Sequence, residues 1–220
     1  RSFSLQFSLS HPATKARSMS IMIKGVHVYP GHLGLAAQLA LVAELRGLLV
    51  AAPLFRSSIA GGKQMSVRMS SAGRFGWVSD PRGARYETRH PATGAPWPAI
   101  PDSVLAIWRA IAAPHLRDPA RLPDSCLINW YDASARMGLH QDRDEGDFGW
   151  PVLSISLGDE ALFRVGGTAR SDRTESLWLR SGDVVLMAGA ARLCFHGIDR
   201  IRPGSSNLLP RGGRINLTCR

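Results

Sequence analysis

From Ser125 to the last residue the sequence breaks into short apolar runs, and no other feature limits the fold so tightly. Residues 127–131, 152–157, 161–165, 177–179, 184–187, 193–195 and 215–219 are short apolar runs of strand length. Gly158, Gly166-Gly167, Ser181-Gly182-Asp183 and Gly212-Gly213 separate them with turn chemistry. Many short strands at such spacing predict a closed or double-sheet β architecture. The expected fold is therefore α+β but mainly β: a double-stranded β-helix, or jelly roll, on which two N-terminal scaffold helices pack.

The helices come from the upstream half. A first helix is predicted over 32–50, with Leu35, Leu39, Val42 and Leu49 on its buried stripe and Pro53 ending it. A second is predicted over 102–113, capped by Asp102 or Ser103 and stopped by Pro114. Its stripe of Val104, Ile107, Trp108 and Ile111 makes Trp108 a core residue. Between them, residues 65–69 alternate as a strand, and residues 73–98 read as a long loop rich in Gly and aromatics. Arg74, Arg82, Arg85 and Arg89 interleave with Phe75, Trp77 and Tyr86, a composition suited to stacked bases and phosphates. Trp97, between Pro96 and Pro98, reads as the anchor of that loop. The expected division is an extension at 1–21, helices and a lid at 22–124, and the jelly roll at 125–220, packed as one unit.

At 220 residues a single sizeable core is expected. The longest apolar stretch, 33–55, is interrupted by Gln38, Glu44, Arg46 and Pro53, so no membrane span is expected. The net charge is +10, and of 27 basic residues only Lys15, Lys24 and Lys63 are lysines. Guanidinium forks match phosphate oxygens, so this balance favours a polyanionic partner. Cys126, Cys194 and Cys219 are odd in number and widely spaced, which argues against a disulfide framework or a thiolate zinc site. Residues 1–43 hold no Asp or Glu, and the first twenty are Ser-rich. That composition fits either an organelle transit segment or an upstream extension, so 1–21 is set aside from the fold. A cytoplasmic monomer is expected, or an organellar or nuclear protein if that segment is a targeting signal.

Within the β region, His140-Gln141-Asp142 places an imidazole and a carboxylate two residues apart, on one face if the segment is a strand. His196, ending an apolar run beside Gly197, can complete a 2-His-1-carboxylate face from a separate strand. Such a face leaves coordination positions open and is the ligand set of non-haem Fe(II). At the C-terminus Arg214, Asn216, Thr218 and Arg220 share one strand face, with Ile215, Leu217 and Cys219 on the other. A strand that buries one apolar face has no need of this row of donors, whereas a small dicarboxylate does. Asn129 and Tyr131 share a face in the same way.

These motifs together resemble the AlkB family: Cys126-Leu127-Ile128-Asn129-x-Tyr131, His140-Gln141-Asp142-x-Asp144-Glu145, Ser154-x-Ser156-Leu157-Gly158, Gly182-Asp183-Val184-Val185, His196-Gly197-Ile198 and Arg214-x-Asn216-x-Thr218-x-Arg220. The likeness runs in order over about 61–220, and Met65-Ser66-Val67, Gly73-x-x-Gly76-Trp77 and Pro96-Trp97-Pro98 are similar to its nucleotide-recognition lid. The resemblance implies an Fe(II)- and 2-oxoglutarate-dependent dioxygenase that demethylates bases such as 1-methyladenine and 3-methylcytosine. Its substrate would be single- or double-stranded DNA, preferably single-stranded, with RNA as a further substrate. It implies iron on His140, Asp142 and His196, with no catalytic residue beyond these ligands. It places 2-oxoglutarate on Asn129, Tyr131, Arg214, Asn216, Thr218 and Arg220, with Arg214 pairing the distal carboxylate. It implies substrate contacts from Trp77, which would stack on the flipped base, Asp144 near the exocyclic amino group, Tyr86 and Arg170. The family pattern has a tyrosine two residues before Tyr86, where this chain has Ala84, which leaves strand affinity and substrate preference open. Two rivals stand beside it: the same iron chemistry on RNA, protein or lipid, and a basic β-sandwich that holds nucleic acid without chemistry.

Overall fold

Side chains along a strand alternate between two faces, so each apolar run can serve two layers at once. The computed structural model describes residues 19–59 and 61–220. Residues 1–18, most of the expected extension, lie outside them. In chain order the elements are β1 (Ile21–Ile23), β2 (Val26–Tyr29), α1 (Leu35–Ala51), β3 (Arg68–Gly73), β4 (Gly76–Asp80), β5 (Gly83–Glu87), α2 (Asp102–Ile107), β6 (Ser125–Tyr131), β7 (Met137–His140), β8 (Val152–Gly158), β9 (Glu160–Val165), β10 (Glu175–Leu179), β11 (Val184–Met187), β12 (His196–Arg202) and β13 (Arg214–Cys219). A seven-stranded sheet in the order β1-β2-β11-β8-β13-β6-β3 faces a four-stranded sheet in the order β10-β9-β12-β7, and β4 and β5 form a separate hairpin. Every pairing is antiparallel. This is the jelly roll expected from the sequence.

Two apolar clusters sandwich the larger sheet. On its outer face Ile128, Ile155, Leu157, Ile215 and Leu217 meet Leu41 and Leu45 of α1 and Val104 and Trp108 from the α2 region. On its inner face Leu127, Val152, Val185 and Met187 meet Phe163, Val165 and Ile198 of the smaller sheet. Each fully buried aliphatic side chain contributes about 1.5–3 kcal/mol.

The first helix turns a different side inward from the one its periodicity suggested. Gln38, Leu41, Val42, Leu45 and Leu48 are buried, whereas Leu35 and Leu39 are 66% and 51% exposed. The helix is apolar on almost every side, so spacing alone could not select a face. Gln38 helps to fix it: its Nε2 donates to Leu33 O at 2.7 Å and its Oε1 accepts the Ser181 hydroxyl at 2.6 Å. The second helix does bury Val104, Ile107, Trp108 and Ile111. It is α-helical only to Ile107, then passes through a π-helical turn at Trp108–Ala112 and a 3-10 turn at Ala113–His115. Pro101 occupies the N-cap, so neither Asp102 nor Ser103 caps it; Ser103 Oγ instead donates to Glu44 Oε2 of α1 at 2.8 Å.

Further differences bear on the site. The strand expected at 65–69 starts only at Arg68, because Arg56 Nη1 takes the carbonyls of Met65 and Ser66 before the ladder begins. The expected loop at 73–98 contains the β4–β5 hairpin. Its turn, Asp80-Pro81-Arg82-Gly83, has Pro at the second position and Gly83 at φ +109°, while Asp80 Oδ1 accepts the Arg82 backbone N–H at 2.8 Å. Residues 193–195 follow a 3-10 turn and are not a strand; His196 opens β12 rather than closing a run. The larger sheet also takes β1, β2 and β3 from the part of the chain set down as upstream of the jelly roll, and β1 begins within the expected extension. Trp97 is buried and donates Nε1 to Glu87 O at 2.8 Å, anchoring the segment after the hairpin. All three cysteines are free and buried. No helix among the described residues is long and apolar enough to cross a membrane.

Candidate active site

Residues 140 and 196 face each other across the pairing of β7 and β12, which brings their ring centroids to 4.5 Å. The sequence reading had His140 and Asp142 on one strand, but β7 ends at His140 and Asp142 lies in the loop beyond. His140 Nδ1 is 2.9 Å from Gly138 O and His196 Nδ1 is 3.0 Å from Cys194 O. A carbonyl only accepts, so each Nδ1 carries a proton, which leaves Nε2 as the atom available to a ligand. Asp142 Oδ1 is 3.6 Å from His140 Nε2, and Oδ2 is 3.8 Å from His196 Nε2. Both distances are too long for hydrogen bonds. The three residues form the one metal-competent His/Cys/Asp/Glu group among those described, their ligand atoms within 4.8 Å of one another.

Electrostatics prepares this group for a cation. Asp142 is 5% exposed, and its Oδ2 is buried without a hydrogen-bond partner. Such an orphaned anionic oxygen is expensive unless something positive meets it. Burial works to raise the Asp142 pKa, but Arg220 and the two imidazoles pull it down to about 2. Burial lowers that of His196 to about 4, which keeps the imidazole neutral and able to ligate. Two imidazoles and one carboxylate fit a divalent metal such as Fe(II).

Next to this face lies a cavity of about 570 Å³, with a polar floor built from alternating residues of β6 and β13. Asn129, Tyr131, Arg214, Asn216, Thr218 and Arg220 all line it, as the strand periodicity predicted. Arg214 is 0% exposed; its Nη2 donates to Ser156 Oγ at 2.7 Å, and its Nε has no partner. It faces no carboxylate in an ion pair among the described residues, and burial lowers its pKa to about 10. Asn129 Oδ1 is likewise buried and unpartnered. Burial also raises the Tyr131 pKa, so its hydroxyl stays protonated and able to donate. A buried cation without an ion-pair partner, beside the Tyr131 hydroxyl, is suited to one end of a small dicarboxylate. Arg220 is committed differently. Its Nη2 lies 3.2 Å from Asp142 Oδ1, and its Nη1 reaches Tyr86 OH at 3.0 Å and Glu145 Oε1.

The hairpin roofs the cavity. Trp77 lines it and donates Nε1 to Asp144 Oδ2 at 2.7 Å, while Ser79, Gly83 and Ala84 border its mouth. Tyr86 does not line the cavity; its hydroxyl is held by Glu145 and Arg220. Arg170 also lies outside the lining, with Nη1 donating to Leu139 O at 3.1 Å. Of the lid arginines, Arg82 and Arg85 are paired with Asp80, and Arg85 also with Glu87, so these two are occupied within the hairpin. Sequence reasoning gave no role to Glu145 or to Arg192, which is 2% exposed and donates to Asp142 O at 2.8 Å. Glu145 stood inside a quoted motif, but nothing in the pattern around Arg192 distinguishes it.

The 2OG-Fe(II) oxygenase superfamily model matches residues 25–220. The alpha-ketoglutarate-dependent dioxygenase AlkB homolog of Caulobacter vibrioides is 52% identical over 214 residues, covering 94% of this chain and 95% of that protein. The alpha-ketoglutarate-dependent dioxygenase AlkB of Escherichia coli strain K12 is 38% identical over 180 residues, covering 82% of each. Among solved structures, that of OsALKBH1 superposes with a TM-score of 0.77 at 31% identity, covering 91% of this chain and 98% of that one.

Proposed function

Because this chain belongs to the AlkB family of the 2OG-Fe(II) oxygenase superfamily, we propose that it oxidatively demethylates alkylated bases in nucleic acid. The cofactors are Fe(II) and the cosubstrate 2-oxoglutarate. The convergence of His140, Asp142 and His196 beside a cavity floored by an unpaired, buried Arg214 carries this reading. The expected substrates are 1-methyladenine and 3-methylcytosine in DNA, preferably single-stranded, with RNA as a further substrate. Residues 22–124 supply the helices, the lid and strands that extend the larger sheet, and residues 125–220 the rest of the catalytic core. The protein is read as a cytoplasmic monomer.

Iron held by His140, Asp142 and His196 would supply the oxidising chemistry, in which one oxygen atom of O2 converts 2-oxoglutarate to succinate and CO2 and the other hydroxylates the methyl carbon. The hydroxymethylated base then falls apart to formaldehyde and the repaired base. What the chain itself does is bind and orient. Arg214, with Asn129 and Tyr131, holds the distal carboxylate of 2-oxoglutarate, while Asn216, Thr218 and Arg220 line its path to the metal.

A methyl on the pairing edge of a base is out of reach inside a duplex, so the base must be flipped out at a few kcal/mol or taken from a single strand. Stacking on Trp77 returns roughly 1–3 kcal/mol. The target bases are cationic, so the indole face and the Asp144 carboxylate both favour the lesion over the normal base. The surplus of arginine draws in the phosphate backbone.

The test is formaldehyde release from a single-stranded oligonucleotide carrying 1-methyladenine or 3-methylcytosine, after Fe(II) and 2-oxoglutarate are added to the metal-free protein. Release that depends on both additions is expected. Succinate formed on a peptide or lipid, with no formaldehyde from any methylated DNA or RNA, would overturn the reading.

A further inference from the structure

Three residues beyond Asp142, Glu145 gathers contacts from three separate parts of the chain. Its Oε1 accepts the Tyr86 hydroxyl of the hairpin at 2.6 Å and Nη1 of Arg220 at the end of the chain. Its Oε2 accepts Nη2 of Arg192 at 3.0 Å. Both guanidiniums also hold Asp142: Arg192 Nη1 donates to its backbone oxygen at 2.8 Å, and Arg220 Nη2 lies 3.2 Å from Oδ1. Glu145 itself does not line the cavity. We propose that Glu145 is a positioning residue that couples the docking of the β4–β5 hairpin to the placement of Asp142 in the metal face.

The physical case rests on how little freedom this quartet has. Two carboxylates and two guanidiniums lie almost out of solvent, with side-chain exposures of 5% for Asp142, 13% for Glu145, 2% for Arg192 and 8% for Arg220. In such surroundings the four charges must stay paired, because one left over is strongly unfavourable. Lifting the hairpin withdraws the Tyr86 hydroxyl from both Glu145 and Arg220. Arg220 then keeps only Glu145 and Asp142, and without the Tyr86 hydroxyl the cation beside Asp142 Oδ1 is less firmly fixed. Neutralising Glu145 frees Arg220 to turn fully onto Asp142 and compete with the metal for its oxygens, while Arg192 stays held by the backbone oxygens of Trp150 and Asp142. Coupling between two sites is reciprocal. Binding of metal and cosubstrate should therefore hold the hairpin down, just as the docked hairpin should tighten the metal site.

This inference rests on the reading of Asp142 as a metal ligand, and the experiment separates the two. The full chain is titrated with Mn(II) as a redox-silent probe, and amide hydrogen exchange of residues 76–87 is followed with and without Mn(II) and 2-oxoglutarate. In the native protein, hairpin exchange should slow on their addition. Glu145→Gln should weaken Mn(II) binding roughly ten- to a hundredfold and abolish the slowing, which a merely structural glutamate would not do. Tyr86→Phe keeps all four charges and should also lose the slowing, with a smaller change in affinity.

Native-like Mn(II) affinity and native-like slowing in Glu145→Gln would overturn the proposal. If that variant fails to fold, unchanged slowing in Tyr86→Phe overturns it instead. Loss of Mn(II) in Asp142→Ala together with native-like affinity and slowing in Glu145→Gln would leave the ligand reading intact and defeat only the coupling. Retention of Mn(II) by Asp142→Ala would defeat both.

Discussion

Trp77 and Tyr86 stand opposite each other in the lid hairpin, and each bonds to one of two consecutive carboxylates, Trp77 to Asp144 and Tyr86 to Glu145. One cross-strand pair thus fastens the lid to the loop that leaves the metal face. The two residues divide the work: Trp77 borders the cavity, while Tyr86 is turned into the charged network behind it.

That division predicts unequal effects of trimming Trp77. Trp77→Ala removes the stacking surface, and the KM for a methylated single-stranded oligonucleotide should rise about tenfold to a hundredfold, corresponding to roughly 1–3 kcal/mol per base. Trp77→Phe loses only the N–H bond to Asp144 and part of the ring, so its KM should stay much nearer the native value. Steady-state formaldehyde release measures both, and an alanine variant with native KM would remove Trp77 from the base platform.

Asp142→Ala should abolish demethylation, with the fold kept at a lower melting temperature because Glu145 is left alone with two guanidiniums. The backbone of this loop is held by Arg192 donating to residue 142's carbonyl, a bond the substitution keeps. Mn(II) should raise the melting temperature of the native protein, because a ligand that binds only the folded state stabilises it. The same addition should leave the variant's melting temperature unchanged. Turnover by an iron-loaded Asp142→Ala protein would sink the assignment.

The sequence made the strands of the core legible because their alternation was clean. Along β13 every second residue is apolar, and the structure buries Ile215, Leu217 and Cys219 on one side and lines the cavity with the other row. The facing of α1 was not legible, since leucine and alanine surround it on all sides and the deciding contact, Gln38 with Ser181, joins residues far apart. The hairpin was legible in principle: Asp80-Pro81-x-Gly83 is a turn signal, obscured by the irregular composition around it. Arg192 and Glu145 could not have been found from spacing. Their role exists only once Asp142, the hairpin and the C-terminal Arg220 have been brought together by the fold.

Arg214→Met offers a contrast between stability and binding. The native guanidinium is fully buried and carries an unpartnered Nε, an arrangement that disfavours the ligand-free protein. An apolar side chain of similar length should leave the melting temperature equal or higher. Affinity for 2-oxoglutarate should nevertheless fall on the order of a hundredfold or more, since removing one partner of a buried charge pair costs about 2–5 kcal/mol. Calorimetric titration with 2-oxoglutarate and a thermal melt together decide it. A variant that loses stability but binds the cosubstrate normally would mark Arg214 as structural.

The metal face should also be breakable without touching a ligand. Gly197 follows His196 on β12, and a Cβ placed there would lie 2.6 Å from Met137 O and 2.7 Å from Gly138 O of β7. Gly138 O is the carbonyl that orients the His140 imidazole. Backbone atoms in a paired strand have no slack to yield, so Gly197→Ala must push β7 away from β12 and carry His140 from His196. Overpacking of this kind destabilises by about 1–3 kcal/mol, and Mn(II) affinity should drop at least about tenfold, as it does when the support of a ligand is disturbed. Gly138→Ala is the matched control, since its Cβ would meet nothing within 4 Å. It should bind Mn(II) as the native protein does. Equal metal affinity in the two variants would mean that the spacing of β7 and β12 does not set the geometry of the site.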